Sequence, residues 1–149
     1  MITTSVYSYF YIESNGSLGS EGLIANTNAI FCPHEITKLL DIEPFEYWKA
    51  GDLRIGGNGR YGFSSWAAEK CSDPTMDVEE LVRKTISALG DKISLINQLK
   101  LKYDVCSGIM IVPSIVIRDI PAISFGRDII EFCYLTSSDI AMDLYVSQD

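Results

Sequence analysis

The sequence predicts an α+β fold, an antiparallel or mixed sheet covered by helices, with a ferredoxin-like arrangement as the nearest simple model. Three observations carry this. Residues 5 to 12 alternate, with Ser8, Phe10 and Ile12 on one face and Tyr7, Tyr9 and Tyr11 on the other, the period of a strand. From Asp77 onward, Val78, Leu81, Val82, Ile86 and Leu89 recur at helical spacing. Asn58-Gly59 sits between two extended stretches and marks a hairpin, which makes the strands it joins antiparallel. At 149 residues the chain has single-domain length, so residues 1–149 are read as one globular domain.

The elements follow in order. After the first strand, residues 13 to 30 are rich in Ser, Gly and Asn and read as a long connection. A short helix opens at Pro33, with Glu35 near its positive end and Ile36, Leu39 and Leu40 as its apolar face; it stops near Asp41. Pro44 starts an extended segment carrying Trp48, and the hairpin around 56 to 59 returns as a second extended stretch through Trp66. Asp77 and Glu80 make a capping-box-like start for the strongest helix, with Gly90 as its left-handed stop. A short helix around 92 to 99 presents Ile93, Ile96 and Leu99. Two extended runs, 103 to 112 and 114 to 118, are separated by Pro113. A helix from about 125 to 135 precedes a last strand with Ile140, Met142, Leu144 and Val146 on one face and Ala141, Asp143 and Tyr145 on the other.

The helix Glu35-Ile36-Thr37 leading to Ile42-Glu43-Pro44, the segment Trp48-Lys49-Ala50-Gly51-Asp52, the strand with Ser65-Trp66, the amphipathic helix and the closing Asp143-Leu144-Tyr145 occur in one order along most of the chain. This pattern resembles a bacterial domain of unknown function, family 4279. Asp41 stands where the family pattern has a helix-ending glycine, and the Gly-rich loop at 56 to 59 is local to this chain. The resemblance implies a fold more than an activity, since the family has no established reaction. Some relatives look like immunity proteins of bacterial toxin systems.

Composition narrows the function classes. The formal net charge of −8 argues against nonspecific nucleic-acid binding, which depends on neutralising phosphates with Lys and Arg. No apolar run approaches a membrane span and no secretion signal is read at the N-terminus, so a cytoplasmic protein is expected. The four cysteines, Cys32, Cys71, Cys106 and Cys133, lack a CxxC pair and are expected as free thiols. Acids gather toward both ends. Residues 1 to 48 hold Glu13, Glu21, Glu35, Asp41, Glu43 and Glu46 against Lys38 alone, and residues 119 to 149 hold Asp119, Asp128, Glu131, Asp139, Asp143 and Asp149 against Arg127 alone.

No catalytic or metal-binding constellation is read. His34 is the sole histidine; Cys32 lies two residues before it, a spacing that does not make side chains face one another near a helix start. Two such ligands fall short of the four a structural zinc needs. Glu79 and Glu80 have a structural reason to sit in a first helical turn. Trp48, Gly51 and Asp52 have two readings: Trp48 an aromatic anchor and Asp52 a polar contact for a partner, or Trp48 and Trp66 packed in the core with Gly51 permitting a turn and Asp52 holding backbone amides. The expected function is therefore non-enzymatic and without cofactor. It is that of an immunity protein binding a toxin domain, a nuclease of a contact-dependent or polymorphic toxin system, through Asp41, Glu43, Glu46, Glu131 and Asp139. Trp48, Gly51, Asp52, Trp66, Asp143 and Tyr145 are assigned to the fold. The alternatives are a small-ligand or regulatory binding module, supported by a closed pocket lined by Trp48 and Trp66, and then an uncharacterised enzyme.

Overall fold

Alternation builds the first strand. In the computed structural model, which describes residues 3–72 and 77–148, β1 (Ser5–Ser14) buries Val6, Ser8, Phe10, Ile12 and Ser14 and leaves Tyr7, Tyr9 and Tyr11 half-buried. The chain continues through β2 (Gly16–Gly19), β3 (Gly22–Ala25), α1 (Pro33–Leu40), β4 (Pro44–Trp48), β5 (Ser65–Ala68), β6 (Cys71–Ser72), α2 (Val78–Ser87), α3 (Ile93–Lys102), β7 (Val105–Val116), α4 (Arg127–Thr136), β8 (Ser138–Met142) and β9 (Tyr145–Ser147). Strands pair in the order β4-β5-β1-β7-β8, with β6 on β1 and β9 on β7. The β4–β5, β1–β5 and β1–β6 pairs are antiparallel and β7–β9 is parallel, so the sheet is mixed and the fold is α+β. The succession β1-α1-β4-β5-α2-β7 is the βαββαβ succession of the ferredoxin-like model.

Packing divides the chain into two units: Met1–Phe10, Lys70–Ile93 and Gly108–Asp149 form the first, and Tyr11–Glu69 with Ser94–Ser107 the second. In the second unit, Trp66 is fully buried, pairs across the sheet with Ile12 and Tyr47, and donates its indole N–H to Thr37 Oγ1 of α1 at 3.0 Å. Pro33 occupies the first turn of α1, where its missing N–H costs nothing, and Pro33, Ile36 and Leu40 form the buried stripe. Asp41 ends the helix in the left-handed conformation, φ 54°, its N–H closing on the Thr37 carbonyl; Asp, with a short polar side chain able to hydrogen-bond locally, is one of the few non-glycine residues that visit this region. Ser64, fully buried, donates to the Phe31 carbonyl at 2.8 Å and accepts from the Ala50 N–H at 3.1 Å. Its own N–H donates to Ser14 Oγ at 2.9 Å, and Ser14 Oγ donates to the Ala29 carbonyl at 2.6 Å. This pair of serines ties β1 to the approach to α1 and to the loop after β4.

Residues 13 to 30 are not simply a connection: β2 and β3 form a hairpin paired from Gly16↔Ala25 to Gly19↔Gly22. Gly22 adopts φ 115°, and a Cβ at Gly16 would lie 2.0 Å from the Ile24 carbonyl oxygen. The glycines that read as loop are what let two short strands turn and approach so closely.

In the first unit, α2 starts at Asp77, whose carboxylate accepts from the Glu80 N–H at 3.2 Å. Val78, Leu81, Val82 and Ile86 are buried, and Thr85 is hydrogen-bonded through its hydroxyl to Ser8 of β1. The expected stop at Gly90 is not used: Ala88 caps α2 in a right-handed conformation and Gly90 has no positive φ. Phe132 of α4 meets Phe10 edge-on at 6.2 Å, an arrangement aromatic quadrupoles favour. β7 passes through Pro113 without breaking, since a proline removes one ladder donor but fits extended backbone. The last strand divides into β8 and β9 where the Asp143 N–H turns to the Ile111 carbonyl at 2.9 Å.

Trp66→Ala and Leu81→Ala should each lower stability by about 2 to 5 kcal/mol, and Ser64→Ala should cost about 1 to 3 kcal/mol for each buried polar group left without its partner. Denaturant midpoints check all three. Unchanged midpoints for both large-to-small variants would place these side chains outside the core.

Candidate partner-binding surface

Four charged groups of α2 and α4 are committed to one another. The Arg83 guanidinium reaches Asp128 from Nε at 2.7 Å and Glu79 from Nη2 at 2.5 Å, with Glu80 at 3.4 Å, and Ser124 donates to Glu79 at 2.9 Å. The hydrogen bond from Arg83 holds the Asp128 carboxyl below its usual range. These are exposed pairs, which orient side chains more than they stabilise the fold. Beside them lies a groove of about 410 Å³ whose floor is Ile86, Ile93, Phe132 and Leu135 and whose rim carries Arg83, Asp128 and Glu131. Ile130 and Tyr134, 55% and 81% exposed, continue the apolar surface of α4. Asp139 is exposed on β8 and, after burial, is the second cause that pushes the Cys133 thiol up.

In the second unit, Glu35 is committed in the same way: Lys102 and Tyr103 both donate to it, the latter at 2.5 Å, and hold it below the usual carboxylate range. Asp104 is held low by the side-chain amides of Asn15 at 2.9 Å and Asn26 at 2.8 Å. Asp41, Glu43 and Glu46 are different. They are exposed from the end of α1 along β4, and neither they nor Glu131 and Asp139 form a salt bridge among the described residues. The five residues divide between the units, three in the second and two in the first.

The tryptophans part company. Trp66 faces α1, whereas Trp48 pairs with Ser65 on the opposite face of the sheet and stacks on Tyr61 at 4.2 Å with Phe63 edge-on at 5.5 Å. The two rings therefore lie on opposite sides of the sheet, Trp66 in the core against α1 and Trp48 in an aromatic cluster with Tyr61 and Phe63. The reason is register: Tyr47, not Trp48, pairs with Trp66. Gly51 takes φ 97° and Asp52 accepts the Lys49 N–H at 2.8 Å, closing the turn after β4. Tyr145 Oη donates to Asp143 at 3.0 Å. His34 is exposed with its ring against Tyr47, and Cys32 is half-buried as the N-cap residue of α1. No group of three His, Cys, Asp or Glu that could hold a metal occurs among the described residues, and no helix there is long and apolar enough to cross a membrane.

Sequence reasoning missed Glu13. It continues the face of Tyr7, Tyr9 and Tyr11, is half-buried, and has no hydrogen-bond or ion-pair partner among the described residues; burial raises its carboxyl above the usual range. Extending the alternation of β1 by one more step would have placed it on that face.

The chain belongs to the family described as Domain of unknown function (DUF4279), whose model matches residues 5–147. No curated protein and no solved structure matches it.

Because its folded pKa is raised, the stability linked to Glu13 is fully present below its unfolded value of about 4.3 and is lost as pH rises through the folded value. Glu13→Gln should therefore raise the thermal midpoint at pH 7, and the gain should vanish below about pH 4. Thermal melts across pH check this. Cys32→Ser with His34→Ala should leave the chain's cellular activity intact, because neither side chain meets a partner for proton or nucleophile chemistry; complete loss in a folded double variant would reopen an enzymatic role.

Proposed function

We propose that this member of the DUF4279 family is a cytoplasmic immunity protein. It neutralises a bacterial toxin domain, a nuclease of a contact-dependent or polymorphic toxin system, by tight non-catalytic association. The supporting observation is the contrast between two classes of acid. Glu35, Glu79 and Asp128 are engaged by the chain's own Lys102 and Arg83, while Asp41, Glu43, Glu46, Glu131 and Asp139 are exposed and unpaired among the described residues. Uncommitted carboxylates attract the basic surroundings of a nuclease active site, raising the rate of encounter and rejecting acidic partners. The groove between α2 and α4 adds what charge alone lacks, an apolar floor of Ile86, Phe132 and Leu135 to receive a buried anchor residue beside Glu131. A small-ligand module loses the pocket that would have favoured it, because Trp48 and Trp66 face opposite sides of the sheet.

The test is association kinetics with the cognate toxin domain, using wild type, Asp41/Glu43/Glu46→Lys and the groove variant Leu135→Ala, whose side chain is 45% exposed, at low and physiological salt. Charge reversal should slow association about tenfold or more and flatten its salt dependence, whereas Leu135→Ala should act on the off-rate. Absence of binding, or equal rates and salt slopes in the charge-reversed variant, would contradict the proposal.

A further inference from the structure

Cross-strand register places six side chains of the second unit in two rows on the sheet face opposite α1. One row is Glu13–Ser65–Trp48 across β1, β5 and β4; the next is Tyr11–Ala67–Glu46. The middle column is small and buried, Ser65 and Ala67 each 7% exposed. Carboxylates stand at two diagonal corners and aromatic rings at the other two, Trp48 with one face already stacked on Tyr61 at 4.2 Å and its other face left for a ligand. Strand spacing and rise put the two glutamate Cβ atoms about 12 Å apart, too far to share one metal ion but close enough for two inward-reaching carboxylates to flank one planar group. Neither glutamate has a hydrogen-bond or ion-pair partner among the described residues.

We propose that this face is a receptor for a single arginine side chain presented by the partner protein. A guanidinium is planar, stays charged, donates in the plane to carboxylates on either side and stacks on aromatic faces, and the diagonal arrangement offers both kinds of contact at once. Lysine, a compact point charge, satisfies one corner at a time. The half-buried Glu13 supplies the reason for the arrangement: unpaired, it costs the free protein stability, and an incoming guanidinium removes that cost only in the complex. The inference rests on the immunity reading for the identity of the partner; the receptor itself is a property of this chain.

The two parts are tested separately. Nα-acetyl-L-argininamide, and its neutral isostere Nα-acetyl-L-citrullinamide, are titrated into the full chain and followed by amide and indole proton–nitrogen spectra. The arginine probe should give saturable shifts centred on Glu13, Ser65, Ala67 and the Trp48 indole. Its affinity should fall about tenfold in Glu13→Gln, which stays folded, and also fall in Glu46→Gln, while the citrulline probe should give none. Equal shifts from the neutral probe, no saturable shift, or an affinity unchanged in both variants would overturn the receptor. A chain that takes the arginine probe but no toxin keeps the receptor and loses the immunity reading. Toxin binding with no response to the arginine probe does the reverse.

Discussion

The strict two-sidedness of β1 is the constraint on which the rest depends. Val6, Ser8, Phe10, Ile12 and Ser14 go into the core, so Tyr7, Tyr9, Tyr11 and Glu13 must go to the other face, and a slip of one residue would exchange every one of them. Within the first unit this orientation sets Ser8 against Thr85 and Phe10 against Phe132. Within the second it sets Ile12 beside Trp66, and Glu13 in line with Ser65 and Trp48. Core and candidate receptor are thus two consequences of one register. A substitution that disturbs the buried face also moves the residues proposed to meet a partner.

Charge is distributed by a second rule, in which basic residues are few and are used locally. Arg83 gathers Glu79, Glu80 and Asp128, and Lys102 meets Glu35 beside Tyr103. What remains is a set of exposed carboxylates, Asp41, Glu43, Glu46, Glu131 and Asp139, without an ion pair among the described residues. In a protein whose only task is solubility this would be a solvated surface. Here the same acids border an apolar groove at Glu131 and a face of aromatic rings at Glu46, and it is this adjacency of charge to apolar surface that suits a protein partner.

Elements with a sustained period were legible in the sequence. The alternation of β1 and the 3.6-residue stripe of α2 each outweigh local noise, and Pro33 marks the start of α1 as clearly as Asp77 marks that of α2. Elements too short to show a period were not. The four-residue strands β2 and β3 look like loop because their glycines serve the turn and the close approach, and Pro113 suggested a break in β7 that extended backbone does not require. The division of the last strand into β8 and β9 had no local signal, because it falls where the Asp143 N–H meets the Ile111 carbonyl of β7, a contact distant in sequence. The exposure of Asp41, Glu43, Glu46, Glu131 and Asp139 was legible because charged residues seldom find full burial. The separation of the two tryptophans was not, since it depends on which residue of β4 stands opposite Trp66. Glu13 was within reach of the alternation argument and was missed because that argument stopped at Ile12.

On the proposed reading, this chain acts by occupying a toxin rather than by transforming it. The most direct measurement is residual nuclease activity of the proposed cognate toxin domain against the molar ratio of this chain, read at several incubation times. Stoichiometric association predicts a linear fall that reaches zero near one equivalent and does not change with incubation. Inactivation continuing with time at a small fraction of an equivalent, or activity unaffected by excess chain, would contradict the account.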